Sequence, residues 1–344
     1  VSAHPDRPTI HTVAARAGVS KSLVSLVLRG SPKVSPDRRA AVQRAMAELG
    51  YRPNAAARDL RERRSRTVGA LLNDLRHPWF VDLLDGLTDA LAEQNRRLLL
   101  GSGRLDRRDE TAPRALADLG IDGLVLAGTQ AGSPTLGEVT QIVPTVAVGW
   151  RDLDLPGVDT VGNDDLLGGE VATRHLLELG HRRIAHIAGH VPGSPNAVGT
   201  LRRTGYENAM RERGLADQIR VETADYTDDG GYRAAVRLLR SPQPPTAIFA
   251  VDDVTCLGAQ AAAAELGVAV PGELSLVGYD NSHLARLRSI WLTSIDSGGT
   301  ELGRLAARTL AARIDDPATP AQVRLLTPTL QVRGSSGPAP RHEA

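Results

Sequence analysis

Apolar residues recur every three or four positions through the first fifty residues and gather into short unbroken runs after residue 67, so the chain changes architecture there. Behind Thr9, the residues Ile10, Val13, Ala14 and Ala17 fall at i, i+3, i+4 and i+7, one buried helical face with its cap. Gly18 stops that helix, and Ser20 caps a second running from Lys21 to Leu28 or Arg29. A third is announced by Ser35 as cap, Pro36 at the first helical position, and Val42, Ala45, Met46 and Leu49 on one side, with Gly50 as its stop. Two short helices across a tight glycine turn, braced by a third, predict a helix-turn-helix. At about 100° per residue, Ser20, Leu23, Val24 and Val27 group inward on the second helix. Ser22, Ser25, Leu26 and Arg29 then face outward, with Lys21 on the flank.

Beyond Thr67 the runs Val68 to Leu72, Leu98 to Gly101, Gly123 to Ala127, Val146 to Gly149, Ile184 to Gly189, Ala247 to Val251 and Leu274 to Gly278 alternate with helical stretches. Continuous apolar strands separated by helices indicate doubly wound parallel sheets covered on both faces. Seven such strands suggest two α/β lobes, with Leu155 to Asn163, Ile290 to Ile295 and Ala318 to Leu325 as crossings between them. A cleft between lobes of this kind can open and close on a ligand, as in periplasmic sugar-binding proteins. The expected division is an arm at 1–8, a head at 9–52, a hinge at 53–66, a first lobe at 67–162 plus 292–322, a second at 163–291 plus 323–333, and a disordered Gly, Ser and Pro tail at 334–344.

Charge sharpens this picture. Up to Arg66 there are fourteen lysines and arginines against five acids, a net of +9, so a total of +1 leaves −8 on the body. A basic head on an acidic body suits phosphate binding at one end only, although a solvated charged face is the plain alternative. No apolar run approaches the eighteen or so residues that span a membrane, and nothing near Val1 resembles a signal peptide, so a cytoplasmic, nucleoid-associated protein is expected. The single cysteine, Cys256, lies in a small-residue helical stretch and reads as core.

Chemistry is sparse. Gly101-Ser102-Gly103 follows a strand, but Asp106 stands where a dinucleotide loop needs its third glycine. His175, His181, His186 and His190 lack HExxH spacing and nearby cysteines. No Gly-x-Ser-x-Gly elbow occurs. The expectation is therefore no enzyme, no metal and no cofactor. On the head, Lys21 can donate to guanine, Ser22 to several base edges, and Leu26 can touch a thymine methyl, with Arg29 on the same face and Thr9 and Ser25 on phosphates. In the body, Trp79, Phe80, Trp150 and Tyr226 follow strands, where α/β proteins bind ligands. Asp252 and Asp280 follow strands likewise, and with Asn163 and Arg202 they can grip hydroxyl groups. This mixture favours a sugar or polyol, with a purine as second candidate.

The run Thr9-Ile10, Val13-Ala14, Ala17-Gly18-Val19-Ser20, Val24-Ser25, Val34-Ser35, Leu49-Gly50-Tyr51-Arg52-Pro53-Asn54, Ala57-Arg58 and Leu60 resembles the head of the LacI/GalR family of bacterial regulators. More loosely, so do Gly168-Gly169, His175-Leu176, Leu179-Gly180-His181-Arg182, Pro245-Thr246-Ala247, Asp252-Asp253, Leu257-Gly258, Val270-Pro271 and Val277-Gly278-Tyr279-Asp280-Asn281 in the body. Three positions depart: Thr12 where an acidic residue usually completes the capping box, Leu23 where threonine is common, and Leu26 where arginine often stands. The resemblance implies a homodimer on a palindromic operator, repression of a carbohydrate-use operon, and an effector held by the eight body residues named above. It also implies that the segment capped by Asn54, with Ala57 in it, pairs across the dimer in the minor groove, where Leu60 wedges into the central base step beside Arg61. A helix of roughly seven residues is marginal alone, which suits folding on DNA. The rival reading is a binding protein related to sugar receptors whose head makes protein contacts. Leu60→Ala is expected to weaken operator binding and reduce DNA bending, measured by circular-permutation mobility; bending equal to wild type would exclude the wedge.

Overall fold

The computed structural model describes residues 8–51, 65–102, 111–128, 134–149, 155–189 and 197–341. They fall into two compact units that divide after Ser65. The first contains α1 (Ile10–Ala17), α2 (Lys21–Leu28) and α3 (Pro36–Glu48) around Val13, Val24, Val27, Val34, Val42 and Ala45. Thr12 restores by itself the capping box that its identity seemed to forfeit: its hydroxyl accepts from the Thr9 N–H at 2.8 Å while Thr9 Oγ1 accepts from the Thr12 N–H at 3.3 Å. Gly18 ends α1 at φ 64°, a conformation costly for any side chain. Ser20 caps α2 through the Leu23 N–H, whereas Ser35 precedes α3 without a side-chain cap bond.

The second unit has two sheets of the same winding. One comprises β1 (Thr67–Leu72), β2 (Arg97–Ser102), β3 (Gly123–Ala127), β4 (Thr145–Val148), β5 (Asp159–Asn163) and β11 (Val323–Leu326), ordered β2-β1-β3-β4-β5-β11 and parallel throughout. The other comprises β6 (Ile184–Gly189), β7 (Arg220–Ala224), β8 (Ala247–Ala250), β9 (Ser275–Tyr279), β10 (Thr293–Asp296) and β12 (Thr329–Gln331), ordered β7-β6-β8-β9-β10-β12 with only β12 antiparallel. Successive strand side chains feed opposite cores. On the first sheet one core lies under α4 (Pro78–Glu93) and α11 (Gly299–Asp315), the other under α5 (Thr111–Asp118) and α6 (Pro134–Ile142). On the second, α7 (Asp165–Glu178) and α8 (Val198–Glu212) cover one face, α9 (Asp228–Leu239) and α10 (Asp253–Glu265) the other.

Three helix pairs cross at almost backbone distance, each through a glycine on both helices. A Cβ on Gly86 of α4 would strike the Thr300 carbonyl of α11, and one on Gly303 the Leu83 carbonyl. Gly169 and Gly205 stand in the same relation between α7 and α8, and Gly231 and Gly258 between α9 and α10. Each glycine costs helix propensity of about 1 kcal/mol, offset by the packing that close approach allows.

The lobe boundaries differ from the expected division at 292 and 323. Strand β10 belongs to the second sheet and β11 to the first, so the chain crosses near Asp164, Gly298 and residues 327–328. Arg313 explains the placement of β11. At the end of α11 it makes a buried bidentate pair with Asp159 of β5, at 2.8 and 2.9 Å, and donates to the carbonyls of Pro317, Thr319 and Pro320. The loop is thereby delivered to the free edge of β5. The Asp164 N–H donates to Leu326 O at 2.9 Å, tying the first and third crossings together.

The expected disordered tail is also corrected. Ser335 is 2 % exposed; its backbone oxygen accepts from the Leu276 N–H at 2.7 Å and its hydroxyl from the Thr293 N–H at 2.8 Å. Gly337 pairs with Ser275 and His181, and Ala339 with Leu179 O. The serines and glycines read as flexible because they are small and polar, yet those properties let the segment lie flat on the second lobe and fill its hydrogen bonds.

Gly86→Ala is expected to destabilise the protein by about 1–3 kcal/mol, as overpacking does. Gly137→Ala on α6, whose Cβ would meet nothing within 4 Å, should stabilise by up to about 1 kcal/mol. Thermal unfolding of both checks the contrast.

Candidate functional site

In the head, the first turns of α1 and α2 carry no acidic side chain, which leaves both helix N-termini electropositive. Lys21 and Ser22 are exposed there, and Thr9 is exposed ahead of α1. Arg29 closes α2, its Nε donating to Ser25 O at 3.2 Å, with Ser25 half-buried. Leu26 is half-buried against the head core beside Leu23, so it stands less free than helical spacing implies. Asn54, Ala57, Leu60 and Arg61 lie outside the described residues, as does Trp150 of the body.

In the body, each winding order reverses between the same two strands, β1 and β3 in one lobe and β6 and β8 in the other. Crevices form beyond the carboxyl ends of strands at such a reversal. Arg202, on α8 and 5 % exposed, reaches the backbone just beyond the carboxyl end of β8. Its Nε donates to Asp165 at 2.8 Å, its Nη1 to Val251 O at 2.6 Å, and its guanidinium stacks 3.5 Å above the Tyr279 ring. Asn163 donates to the Tyr279 hydroxyl at 2.5 Å. The structure thus brings together Arg202, Asn163 and Asp280, three residues expected from sequence, and adds Asp165 and Tyr279. Asp165, at the start of α7, was legible as the second acid of an Asn-Asp-Asp run after a strand; the role of Tyr279 had no local signal.

Asp280 has a φ of 96° and is 6 % exposed, and its nearest cation, Arg202 Nη2, is 3.6 Å away, too far for a hydrogen bond. Burial raises its carboxyl to about 6, against the pull of Arg202 and His77. Tyr226, at φ 61°, lays its ring on Gly189 and Gly199, and its buried hydroxyl has no partner among the described residues. Burial lifts its pKa above the ordinary range. Trp79 is half-buried, its Nε1 donating to Ser297 at 3.2 Å across the second crossing.

Two expected residues are already engaged by the scaffold. Phe80 is buried in the first lobe's core, where it packs on Gly128 and meets Trp79 edge to face at 5.1 Å. Asp252 is 1 % exposed and doubly engaged: Oδ1 accepts from the Thr255 N–H at 2.7 Å, capping α10, and Oδ2 lies 3.0 Å from His77 Nε2 of the other lobe. A carboxylate that opens a helix is drawn to its backbone amides before any ligand arrives. Of the four histidines singled out in the second lobe, three are dispersed into packing. His175 meets Ser336, His181 bridges Thr246 and Ser275, and His186 Nδ1 faces Phe249 O with burial lowering its pKa to about 3. His190 lies outside the described residues.

A helix-turn-helix head carried by a two-lobed body with a polar cleft defines a ligand-responsive DNA-binding protein. Residues 9–54 match the bacterial regulatory proteins of the lacI family, and residues 173–336 a periplasmic binding protein-like domain. The chain is 35 % identical over 338 residues to the ribose operon repressor of Escherichia coli (strain K12), covering 95 % of this chain and 99 % of the relative. A solved complex of the regulator CelR with cellobiose superposes with TM-score 0.71 at 33 % identity, over 96 % of this chain and 100 % of the other. The lac repressor dimer bound to operator and an anti-inducer shares the fold, with TM-score 0.84 at 24 % identity over 96 % of this chain and 100 % of that one. The chain belongs to the lacI family of bacterial regulatory proteins: it is a DNA-binding transcriptional repressor switched by a small molecule. The family consists of regulators, not enzymes, and no helix among the described residues is long and apolar enough to cross a membrane.

Asp253, beside the cap of α10, is buried with Oδ1 accepting from Ser294 Oγ at 2.6 Å and Oδ2 from the Ser282 N–H at 2.7 Å. Burial, then the charge of Asp280, pushes it up to about 8. A carboxyl with a raised folded pKa holds its proton longer in the folded state, so its contribution to stability falls as pH rises from about 4 towards 8. Asp253→Asn is expected to flatten the decline of denaturation free energy between about pH 5 and 8. A slope equal to wild type would mean that the carboxyl is ionised throughout.

Proposed function

We propose that two copies of this chain occupy adjacent half-sites of a palindromic operator controlling carbohydrate use, and that a sugar or polyol in the cleft of each body changes operator affinity. Lys21, Ser22, Leu26 and Arg29 read bases, Thr9 and Ser25 hold phosphates, and Asn54, Ala57, Leu60 and Arg61 form the hinge contacts in the minor groove. In the cleft, Trp79 and Trp150 offer faces to a sugar ring, and Asn163, Arg202, Tyr226 and Asp280 bind its hydroxyls. The reading rests above all on Asp280, a buried carboxyl 3.6 Å from Arg202 and so beyond hydrogen-bonding distance of it, and on Tyr226, whose buried hydroxyl has no hydrogen-bond partner among the described residues. Buried groups in that condition call for a partner, and a neutral polyhydroxyl ligand donates to the one and exchanges with the other without adding charge. Of two similar proteins, one is a ribose operon repressor and the other a regulator solved in complex with cellobiose, and both sugars are of this class. The protein acts in the cytoplasm at the nucleoid.

Two measurements test this. Thermal-shift screening of the full chain against sugars, polyols and purines should yield a stabilising sugar or polyol, and Asp280→Asn should weaken it roughly 10- to 100-fold, the worth of one charged hydrogen bond. Stabilisation by purines alone would overturn the ligand class. Duplex binding should fall linearly in log–log form with salt, and that dependence should shrink in Lys21→Ala if Lys21 meets a phosphate but persist with relaxed specificity if it reads a base.

A further inference from the structure

Among the described residues the lobes touch across their cleft through few polar contacts, and one joins a buried carboxylate to a part-buried imidazole. His77, on the loop that opens α4 in the first lobe, places Nε2 3.0 Å from Oδ2 of Asp252 at the start of α10 in the second, with side chains 18 % and 1 % exposed. Among the described residues the other interlobe ion pair, Arg286 with Asp82, is 3.4 Å long with an arginine half in solvent, a geometry worth little. We propose that His77 and Asp252 form a latch that draws the lobes together and tightens when the imidazole takes up a proton.

The groups around the imidazole set the direction. Asp252 and Asp280 face it from the ends of β8 and β9 and favour its charged form; Arg202 on α8 opposes them, as does burial. On its own loop Asp74 is already paired with Arg76. The net effect raises the His77 pKa above its ordinary value and lowers that of Asp252, as each partner holds the other charged. Either protonation state can bridge. The neutral ring donates from Nε2 to Asp252 while Nδ1 accepts from the Trp79 N–H at 3.4 Å; the charged ring gives up that long contact for a charge-assisted bond to the carboxylate. A raised histidine pKa gives stabilisation that is complete below the ordinary imidazole value and is lost as pH rises through the folded value. The closed arrangement is therefore favoured on the acid side of neutrality. Because Asp252 also caps α10, the latch acts on a helix end, not on a mobile loop. Its effect on effector affinity rests on the cleft being the effector site as proposed above; the latch itself does not.

The test uses the full chain without effector or DNA, labelled for energy transfer at Glu138→Cys on α6 and Arg213→Cys beyond α8, one exposed site on each lobe. The expected result is a transfer change between about pH 5.5 and 8.5 with a midpoint above the ordinary histidine value of about 6.5. His77→Asn should abolish that part of the response, leaving only what Asp280 contributes near 6. Asp252→Asn, which preserves the helix cap, should lower the midpoint. A transfer signal that does not vary with pH in the wild type, or one that survives unchanged in His77→Asn, would overturn the proposal. A failed effector screen would leave these results standing, so the two readings fail separately.

Discussion

A guanidinium removed from water must be repaid in hydrogen bonds or it unfolds its surroundings, and Arg202 is the group on which the arrangement of the second lobe turns. Its partners come from separate places along the chain: Asp165 from the helix after the first crossing, Val251 from the end of β8, Tyr279 from the end of β9. One cation thus gathers two strand ends and a crossing into a fixed floor. Asp280 stands just beyond bonding distance of the same cation, so the floor is rigid where it supports the fold and incomplete where a ligand can enter.

Much of this was legible from residue spacing. The helix-turn-helix, the alternation of apolar strands with helices, and the strand-end positions of Asp280, Tyr226 and Trp79 follow from periodicity and from the general placement of ligands in α/β proteins. What sequence could not resolve has physical causes. Strand β10 was assigned to the wrong sheet because a four-residue strand carries no mark of its neighbours; Arg313, far from both crossings in sequence, decides where the returning chain docks. Asp252 follows a strand, where ligands bind, yet a residue that follows a strand also precedes a helix, and its Oδ1 is engaged in capping α10.

The paired glycines show a similar economy. Each is a poor helix former in isolation, and a reading by propensity alone would discount the helices that contain them. In pairs they allow α4 with α11, α7 with α8, and α9 with α10 to approach until backbone meets backbone. Two of these pairs lie beside a crossing, where α7 begins and where α11 begins, so the points at which the chain changes lobe are anchored in close packing on either side.

The anchored segment 335–339 carries a consequence for biogenesis. It supplies hydrogen-bonding partners to Leu276, Ser275, His181 and Leu179, atoms made long before it during synthesis. A nascent second lobe must hold those groups in water or in improvised pairings until this segment has been made. Native closure of that lobe thus waits on this segment, and a change that disturbs it would strike at maturation of the polypeptide even though it lies far along the sequence from the DNA-reading head.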